Sequence, residues 1–436
     1  MVQFTGEAEL GHPYWWDAAP PRSAEDPLPD RCDILVIGAG YAGLSAAIAA
    51  HDAGAKVAVV DAGDPGAGAS SRNGGMFGAH PRLSWTQLSK RFGSDVADGV
   101  FAEAAPALDW AKALIGTEKI DCDLQQTGRM QLAWTPQHAQ GQRTLVRAVS
   151  EKSCVAVQTL CETDFRQEIG TKKYHGAIMF PQHCGLHPAK FHGGLRRAVE
   201  ARGVPLTGQA EVTHLRRDGH RFVAQTPKGK VTADKVVLCT NGYTTRAFRW
   251  HLARVFPLPS YLIATEALPP NLIGHLAPGR RMMVETRARH SYFRISPDGT
   301  RILWGGRASM RPLHMREAAR RLHATMTEIW PDLRDVKLSH AWWGNTGYSF
   351  THMPHVGDDR GLHYAMGFSG SGTVMAPYLG AKAAWQAVGD PRGETAYTAT
   401  NFTRHILHPF ARPHFLYAAD LWYRTVVDRL DNWRAG

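Results

Sequence analysis

Three glycines between a predicted strand and a predicted helix are the first residues whose spacing suggests chemistry. In CDILVIGAGYAGLSAA (32–47), Gly38, Gly40 and Gly43 fit the pattern GxGxxG. The first glycine permits a tight turn, the second lets a diphosphate approach the backbone, and the third lets helix and strand pack closely. The diphosphate would lie at a helix N-terminus, where backbone amides and the helix dipole favour anions. The pattern predicts a dinucleotide-binding site.

Asp61 stands near the end of the next predicted strand, KVAVVDAG (56–63). A carboxylate there can accept a hydrogen bond from a ribose hydroxyl, and it would repel the additional phosphate of NADP. The alternative is a glycine-rich helix start in an unrelated α/β fold. The strand–helix–strand context and the acidic partner favour the dinucleotide.

Three further stretches favour a flavin over a nicotinamide. The loop SSRNGGM (70–76) offers small residues and backbone amides against which a bulky ring could lie, and VTADKVVLCTNGY (231–243) is a strand that ends in a polar turn. In YAMGFSGSGTVMAP (364–377), a second glycine-rich turn precedes a helix. A helix N-terminus aimed at the pyrimidine end of a flavin stabilises the anionic reduced ring.

The elements that must position these residues alternate between strands and helices, as in an α/β protein. Residues 1–30 lack periodicity and are predicted to be an irregular arm, of which HPYWW (12–16) packs on the body. The predicted helices cover 42–53, 84–115, 136–152, 187–204 and 315–330, and the predicted strands cover 33–37, 56–63, 128–134, 255–265, 290–296 and 301–307.

Composition narrows the class of protein. The net charge is +11, but the arginines are spread along the chain instead of clustered, which disfavours a nucleic-acid partner. The positive field could instead attract an anionic cofactor or substrate. The six cysteines form no CxxC pair, so neither a metal site nor a disulfide framework is expected. The scattered cysteines favour a reduced, cytoplasmic compartment. We also find no transmembrane run and no secretory signal.

Together these motifs resemble one superfamily over about residues 12 to 400. The set VIGAGYAGLSAA, GASSRNGGM, a helix that begins with HP, VVLCTNGY, MPHVG and GFSGSGT is similar to the FAD-dependent amine oxidoreductases of the D-amino-acid oxidase and sarcosine oxidase superfamily. YWWDAAP near the N-terminus and the SSRNGG loop are most similar to the γ-glutamylputrescine oxidase-like branch.

The resemblance implies FAD as cofactor and assigns residues to it. The pyrophosphate and the adenosine moiety would be held by Gly38, Ala39, Gly40, Gly43, Asp61, Ala62 and Val212. The isoalloxazine and the turns around it would be lined by Ser70, Arg72, Asn73, Gly74, Gly75, Met76, Thr240, Asn241, Gly242, Gly370, Ser371, Gly372 and Thr373. No cysteine stands near the C-terminal flavin turn, so the FAD is expected to be non-covalent.

The resemblance also implies the fold: a Rossmann-like FAD-binding domain in discontinuous segments, with an inserted mixed-sheet substrate domain that roofs the flavin. The predicted FAD-binding segments are 31–83, 183–245 and 343–395, and the predicted substrate-domain segments are 84–182 and 246–342, with an arm at 1–30 and a helical tail at 396–436.

In such enzymes a C–H bond beside an amine breaks, hydride passes to flavin N5, and the imine product hydrolyses. We expect AWWGNTGYSFTHMPHVG (341–357) to line the site, with Trp342, Trp343 and Tyr348 forming an aromatic cage unless the tryptophans belong to the core. Relatives often carry an aspartate where this chain has Thr351. His352 is a candidate base, although a surface or core role is the alternative.

Arg294 and Arg307 lie in the two strands of a predicted hairpin, where strand alternation decides which side chain faces the flavin. An arginine on that face would clamp a substrate carboxylate. The other interpretation places both on a solvated face.

The remaining expectations concern partners and rival functions. The substrate is expected to be a primary or secondary amine, a polyamine derivative or an N-alkyl amino acid, and the electron acceptor is oxygen or another molecule. A monomer and a homo-oligomer are both open. The apolar C-terminal segment 414–433 could pack on the body or contact a membrane or partner. The alternatives are a flavin-dependent 2-hydroxy-acid or alcohol dehydrogenase on the same fold, and a non-catalytic flavoprotein.

Overall fold

The computed structural model describes residues 2–406, 408 and 413–435. Two large sheets organise the described part of the chain, and the sites lie between them. In chain order, the strands are β1 (Phe4–Leu10), β2 (Arg31–Ile37), β3 (Val57–Val60), β4 (Met76–Phe77), β5 (Arg129–Leu132), β6 (Gln158–Leu160), β7 (Ala177–Phe180), β8 (Cys184–Gly185), β9 (Leu206–Thr207), β10 (His214–Asp218), β11 (Arg221–Thr226), β12 (Gly229–Leu238), β13 (Val255–Thr265), β14 (Met282–Glu285), β15 (Ser291–Ile295), β16 (Ile302–Gly306), β17 (Leu338–Ser349), β18 (His355–Asp359) and β19 (Leu362–Met366).

The helices surround these sheets. They are α1 (Tyr41–Asp52), α2 (Ala69–Arg72), α3 (Trp85–Phe92), α4 (Ser94–Thr117), α5 (Pro136–Lys152), α6 (Glu162–Glu168), α7 (Pro188–Ala201), α8 (Arg249–Leu252), α9 (Pro270–Leu276), α10 (Met315–Ile329), α11 (Gly372–Val388), α12 (Phe415–Trp422) and α13 (Asp428–Ala435), the last two joined by a π-helical turn over Tyr423–Val427.

The smaller sheet has the order β10-β11-β12-β2-β3-β9, and β19 pairs with both β12 and β18. β12, β2, β3 and β9 run parallel, as the continuous apolar runs of β2 and β3 predict for strands covered on both faces. α1 packs against α11, where a Cβ on Gly380 would lie 2.1 Å from the carbonyl oxygen of Ala42. The helix pair can therefore approach this closely only with glycine at that position.

The larger sheet is mixed, with the order β1-β17-β13-β16-β15-β14-β5-β7-β6. One of its faces carries an apolar core under α10, in which Phe293 and Trp304 stack with ring centroids 4.1 Å apart. Successive side chains in a strand point to opposite faces. The alternate residues therefore face the smaller sheet, and they build the cavity described below.

Two sequence expectations are corrected by strands at the edge of this sheet. Residues 1–30 are not an irregular arm throughout, because β1 pairs in parallel with β17 through a β-bulge. β17 was not predicted as a strand, and the predicted boundary between residues 342 and 343 falls inside it. β17 was missed because Leu338–Ser349 mixes glycine, asparagine and large aromatics, and tertiary pairing overrides this weak strand pattern.

The C-terminal helices pack on the body through few side chains. Asp420 accepts hydrogen bonds from Ser309 Oγ (3.0 Å) and Met310 N (2.7 Å), while Trp422 and Trp433 remain exposed. Of the apolar stripe noted in the sequence, Leu416 is buried and Leu430 is exposed. Within the described residues, no helix has the length and apolarity needed to cross a membrane.

Candidate active site

A cleft of about 380 Å³ opens at the carboxyl ends of β2, β3 and β12, between the first turns of α1 and α11. We call it the nucleotide cleft. Its wall is built mostly from small residues and backbone. Of the residues that the sequence assigned to the cofactor, the cleft is lined by Gly38, Gly40, Asp61, Ala62, Ser70, Asn73, Val212, Thr240, Asn241, Gly370, Gly372 and Thr373.

The three glycines of the first turn are required by contact distances. Gly38 has a φ of +101°, and a Cβ there would lie 3.0 Å from the carbonyl oxygen of Cys239. A Cβ on Gly40 would lie 2.9 Å from Ser70 Oγ, and one on Gly43 would lie 1.8 Å from the carbonyl oxygen of Gly38. Gly43 does not line the cleft, and its role is the close packing of α1 on β2.

Asp61 is held by the backbone around it. Ala39 N donates to Oδ2 at 2.7 Å, and Gly63 N donates to Oδ1 at 3.0 Å. Burial raises the pKa of this carboxyl above its ordinary value, although these amides oppose the shift. Each carboxylate oxygen retains a further lone pair, so Asp61 can still accept a ribose hydroxyl.

The opposite end of the cleft is formed by the turn before α11. Gly370 has a φ of +99°, and the N-cap residue Ser371 makes no side-chain capping hydrogen bond. The first backbone amides of α11 are therefore open at Gly372 and Thr373, both of which line the cleft. An anionic or carbonyl-bearing group placed here would be stabilised by these amides and by the helix dipole.

These features fit an FAD molecule. The glycine turn leaves space at the N-terminus of α1 for a diphosphate, Asp61 and Val212 line the adenosine end, and the open turn of α11 lies at the flavin end. The residues present therefore satisfy the steric and polar demands of the cofactor.

The loop over residues 69–76 separates this cleft from a second cavity and is fastened by the N-terminal segment. Trp15 Nε1 donates to the carbonyl oxygen of Asn73 at 2.8 Å, and Trp16 Nε1 donates to Ser71 Oγ at 2.8 Å. The Arg72 guanidinium lies over the Trp16 ring, 4.3 Å from its centroid. HPYWW therefore packs on the body, as predicted, and it does so at the loop expected to line the flavin.

The second cavity has a volume of about 450 Å³ and lies under the larger sheet. We call it the arginine cavity. It shares Ala69, Asn73, Thr346, Gly370 and Thr373 with the nucleotide cleft, so the two spaces adjoin. A substrate here would meet a ring bound at the end of the cleft.

Strand alternation explains the lining of the arginine cavity. Residues two apart face it on each strand, whereas intervening residues such as Met130, Tyr261 and Met283 enter the core. The lining pairs are Arg129 and Gln131 on β5, Met282 and Val284 on β14, His290 and Tyr292 at β15, Ser260 and Leu262 on β13, and Thr346 and Tyr348 on β17.

The charge of the cavity is strongly positive. Five arginines line it (Arg72, Arg82, Arg129, Arg287 and Arg307), and Glu285 is the one acid among the described lining residues. Arg287 is neutralised, because it donates to Glu285 at 2.7 and 3.0 Å and to Glu328 at 2.8 Å. The cavity therefore keeps an excess of positive charge that suits an anionic ligand.

Tyr348 lies between two of these cations. Arg82 Nη2 donates to the Tyr348 hydroxyl oxygen at 3.2 Å, and Arg307 Nη2 donates to the same oxygen. Burial by itself would raise the pKa of Tyr348, but the two guanidiniums lower it below its ordinary value. Because the oxygen already accepts twice, the hydroxyl proton is available for an acceptor in the cavity.

A second group of polar residues lies around Arg129. Its Nη2 donates to His80 Nε2 at 3.0 Å, and its guanidinium lies 4.7 Å from the centroid of the Phe180 ring. Burial first, and Arg129 second, lower the pKa of both His80 and His183 well below the ordinary range. Both imidazoles are therefore neutral at physiological pH.

The predicted aromatic cage is only partly formed. Trp342 is fully buried, and its Nε1 donates to the carbonyl oxygen of Arg72 at 2.9 Å, so it supports the loop instead of lining the cavity. Trp343 points to the other face of β17, toward the core under α10. The expectation that both tryptophans surround the substrate is corrected, and Tyr348 alone of the three lines the cavity.

Of the two candidate arginines, one lines the arginine cavity and the other is bound to backbone. Arg307 lines the cavity, whereas Arg294 is buried and donates through Nη1 to the carbonyl oxygens of Gly75 (2.9 Å) and Leu186 (3.0 Å). Arg294 is thus bound to the backbone behind the loop over residues 69–76 and does not line the arginine cavity. His352 also lies outside the cavity lining, and burial with nearby arginines lowers its pKa to about 4.

The remaining residues that the sequence assigned to the cofactor either line the arginine cavity or shape the backbone around it. Arg72, Gly74, Met76 and Ser371 line the arginine cavity. Gly75 has a φ of +67°, and a Cβ on Gly242 would lie 3.0 Å from Gly347 N, so these two glycines shape the backbone around the site.

Sequence reasoning missed Arg82, Arg129, His80, His183 and His290 as lining residues. A usable signal was the alternation in RMQL, which puts Arg129 and Gln131 on one face and Met130 and Leu132 on the other. His290 is likewise two residues before Tyr292, on the same face of β15.

Comparison with known proteins supports this reading of the cleft. The family model described as "FAD dependent oxidoreductase" (DAO) matches residues 33–385. The chain is 28% identical to a probable oxidoreductase, OrdL, of Rhizobium meliloti (strain 1021), over 86% of this chain and 88% of the relative. It is 27% identical to gamma-glutamylputrescine oxidoreductase of Escherichia coli (strain K12), over 80% of this chain and 82% of the relative.

A solved structure has the same fold. Glycine oxidase from Geobacillus kaustophilus superposes with a TM-score of 0.71 at 23% identity, over 87% of this chain and all of that one. The family match spans both the nucleotide cleft and the arginine cavity, and it confirms FAD as the cofactor that the glycine motifs predicted. The chain belongs to the DAO family of FAD-dependent oxidoreductases.

Proposed function

We propose that this enzyme oxidises the C–N bond of a primary or secondary amine that also carries a carboxylate. The arrangement of Arg82, Tyr348 and Arg307 carries the proposal. Two cations and one available hydroxyl proton form a carboxylate receptor in a cavity that adjoins the FAD cleft. The names of two relatives, gamma-glutamylputrescine oxidoreductase and glycine oxidase, denote amine substrates and support the same class.

The chain's contribution to the reaction is binding and orientation. Bound FAD supplies the two-electron oxidising capacity. Arg307 and Tyr348 hold the substrate carboxylate, which fixes the position of the adjacent C–N bond. Tyr292 borders the space beside the loop over residues 69–76, because a Cβ on Gly74 would lie 2.8 Å from the Tyr292 ring. The imine product then reacts with water to give a carbonyl compound and either ammonia, from a primary amine, or a smaller amine, from a secondary one.

The cofactor is proposed to be held without a covalent bond. Gly38, Gly40 and the first turn of α1 would hold the pyrophosphate, Asp61 the ribose, and the open turn of α11 the pyrimidine end of the flavin. The cysteine that lines the nucleotide cleft is Cys239, and burial raises the pKa of its thiol to about 12. A thiol this weakly acidic is a poor nucleophile toward the flavin.

The test is anaerobic reduction of the purified holoenzyme by paired compounds. Each pair has the same carbon skeleton and carboxylate but differs in the reacting group: glycine and glycolate, alanine and lactate, N-methylglycine and methoxyacetate. Loss of the flavin band near 450 nm is recorded in a stopped-flow spectrophotometer. The proposal expects bleaching by an amine of a pair and none by its oxygen analogue.

Two results would contradict the proposal. Bleaching by hydroxy acids alone would support the 2-hydroxy-acid dehydrogenase alternative on the same fold. Bleaching by amines that lack a carboxylate, at rates equal to those of the amino acids, would remove the role assigned to Arg307 and Tyr348.

A further inference from the structure

Arg129 is a half-buried cation, with its Nε shielded from solvent, for which the described protein offers no countercharge. It begins β5, lines the arginine cavity and makes no ion pair with a described carboxylate. Its Nε has no hydrogen-bond partner, and its Nη2 donates to a neutral imidazole, that of His80. By contrast, Arg287 in the same cavity is paired with two carboxylates.

The charge on Arg129 persists at physiological pH. Burial lowers the pKa of its guanidinium to about 10, which still leaves it protonated near neutrality. A charge that is shielded from water and has no opposite charge nearby lowers the stability of the folded state. An anion bound in the cavity would offset that cost.

The neighbouring histidines cannot neutralise the charge of Arg129. His80 Nε2 accepts from Arg129, which places the imidazole proton on Nδ1, and His183 Nε2 lies 3.2 Å from the carbonyl oxygen of Ala79. Neither ring carries a negative charge in any protonation state that occurs in proteins, so neither can neutralise Arg129.

The Arg129 position is well separated from the carboxylate receptor formed by Arg82, Tyr348 and Arg307. β5 pairs with β14, β14 with β15 and β15 with β16, after which Arg307 follows directly. Three strand spacings correspond to about 14 Å across the sheet, and Arg307 lies four residues beyond Leu303, the residue in register with Arg129, which adds about 13 Å along the strands. Long arginine side chains from either side can therefore hold the two ends of one ligand.

His290 shows that both groups border a common space. It lines the arginine cavity and stands one residue before β15, between the two groups in the sheet. Burial, followed by the charges of Arg307, Arg82 and Arg129, lowers its pKa to about 3. The three cations act on one neutral ring, as expected when they surround one cavity.

We propose that the substrate carries a second carboxylate, which binds Arg129 while the first binds Arg82, Tyr348 and Arg307. The substrate class is then an amino or imino dicarboxylic acid. This inference rests on the proposed function for the reacting amine and for the first carboxylate site, whereas the Arg129 site is argued independently of it.

The test measures binding without turnover. The holoenzyme is titrated with succinate, glutarate and adipate and with the chain-matched monocarboxylates butyrate, pentanoate and hexanoate, and the perturbation of the flavin spectrum gives each dissociation constant. We expect at least one diacid to bind about ten-fold more tightly than its matched monoacid, as a second charge-assisted contact provides. In Arg129→Gln and Arg129→Met, this preference falls to about one.

Arg143→Gln is the matched control, since Arg143 is exposed on α5. It should keep the diacid preference. Retention of the flavin spectrum and of the thermal midpoint shows that each variant is folded, and Arg129→Lys, which keeps a cation, should retain part of the preference. Equal affinities for diacids and monoacids in the wild type would overturn the proposal, as would a preference that survives in Arg129→Gln.

Failure of the two proposals is distinguishable. If diacids bind preferentially through Arg129 but no amine bleaches the flavin, the dicarboxylate site stands and amine oxidation fails. If carboxylated amines bleach the flavin while diacids show no preference, amine oxidation stands and the second carboxylate is refuted.

Discussion

The nucleotide cleft and the arginine cavity adjoin but are built in opposite ways. The cleft uses small residues and backbone groups that are close in sequence, such as Gly38, Gly40 and the turn at Gly370. The cavity uses long charged side chains delivered by strands far apart in the chain, such as Arg129 on β5 and Tyr348 on β17. Backbone recognition tolerates little change in residue size, whereas side-chain recognition can change by single substitutions.

This difference assigns different tasks to the two regions. A diphosphate and a flavin ring are recognised by turns whose geometry excludes a Cβ. In the proposed function, the substrate is recognised by the charges and hydrogen-bond donors on one face of a sheet. Substitutions in the two regions should therefore affect FAD retention and carboxylate binding separately.

The largest effect is expected at Gly43. In Gly43→Ala, the added Cβ would lie 1.8 Å from the carbonyl oxygen of Gly38, so α1 and the glycine turn must move apart. We expect loss of bound FAD, measured as the ratio of absorbance at 450 and 280 nm. Gly116→Ala in α4 is the control, because nothing lies within 4 Å of its Cβ position. An FAD-replete Gly43→Ala protein would contradict the geometry of the turn.

The sequence predicted the cleft well because its signals are local. GxGxxG, the acid at Asp61 and the turn before α11 each lie within one short segment, and their backbone roles follow from residue type. The large sheet was predicted in part: β13, β15 and β16 had clear alternation, but β1 and β17 did not.

The arginine cavity could not be predicted to the same depth. Which residues meet there depends on the register of five strands, and period-two alternation gives two faces without saying which part of a face is covered. Arg294 and Tyr292 share a face of β15, yet Gly75 and Leu186 cover the arginine while the tyrosine lines the cavity. Trp342 is covered in the same way by the loop at Arg72.

Arg307 and Arg294 provide the next test, because they are chemically identical but differ in partner. In Arg307→Gln, a carboxylate loses one charged donor, and we expect its dissociation constant to rise about 10- to 100-fold with FAD retained. In Arg294→Gln, the carbonyl oxygen of Leu186 loses the Arg294 donor and that of Gly75 keeps Leu186 N alone, so thermal stability and FAD retention should fall instead. Equal effects of both variants on carboxylate binding would contradict the different roles of Arg307 in ligand binding and of Arg294 in backbone support.

Tyr348 should set the alkaline limit of carboxylate binding. Below its pKa the hydroxyl can donate to the ligand, and above it the phenolate repels a carboxylate. Since Arg82 and Arg307 lower this pKa from 10, affinity should fall as pH rises through a value below 10. Tyr348→Phe should bind about ten-fold more weakly at neutral pH and should lack this pH dependence. A wild-type affinity that stays constant up to pH 10 would contradict the assignment.

The smallest effect on ligand binding is expected at Thr351, which lines neither the nucleotide cleft nor the arginine cavity. Its hydroxyl lies 2.7 Å from Nε2 of the buried His355, whose Nδ1 lies 2.9 Å from Thr400 Oγ1. Burial lowers the pKa of His355 to about 4, so the ring is neutral and Nε2 accepts the Thr351 proton. Thr351→Val preserves shape but leaves Nε2 unpaired, which should cost about 1–3 kcal/mol of unfolding free energy in a urea titration at pH 7.

The pH dependence of stability distinguishes this hydrogen bond from a general packing defect. The folded pKa of His355 is depressed, so its unfolded form binds more protons between about pH 6.5 and 4, and stability falls as pH is lowered through that window. Without the Thr351 hydroxyl, protonation of His355 no longer breaks a hydrogen bond. The difference between wild type and Thr351→Val should therefore shrink toward pH 4, whereas Thr163→Val at an exposed position should differ little from wild type at any pH. A penalty that is independent of pH would instead indicate lost packing.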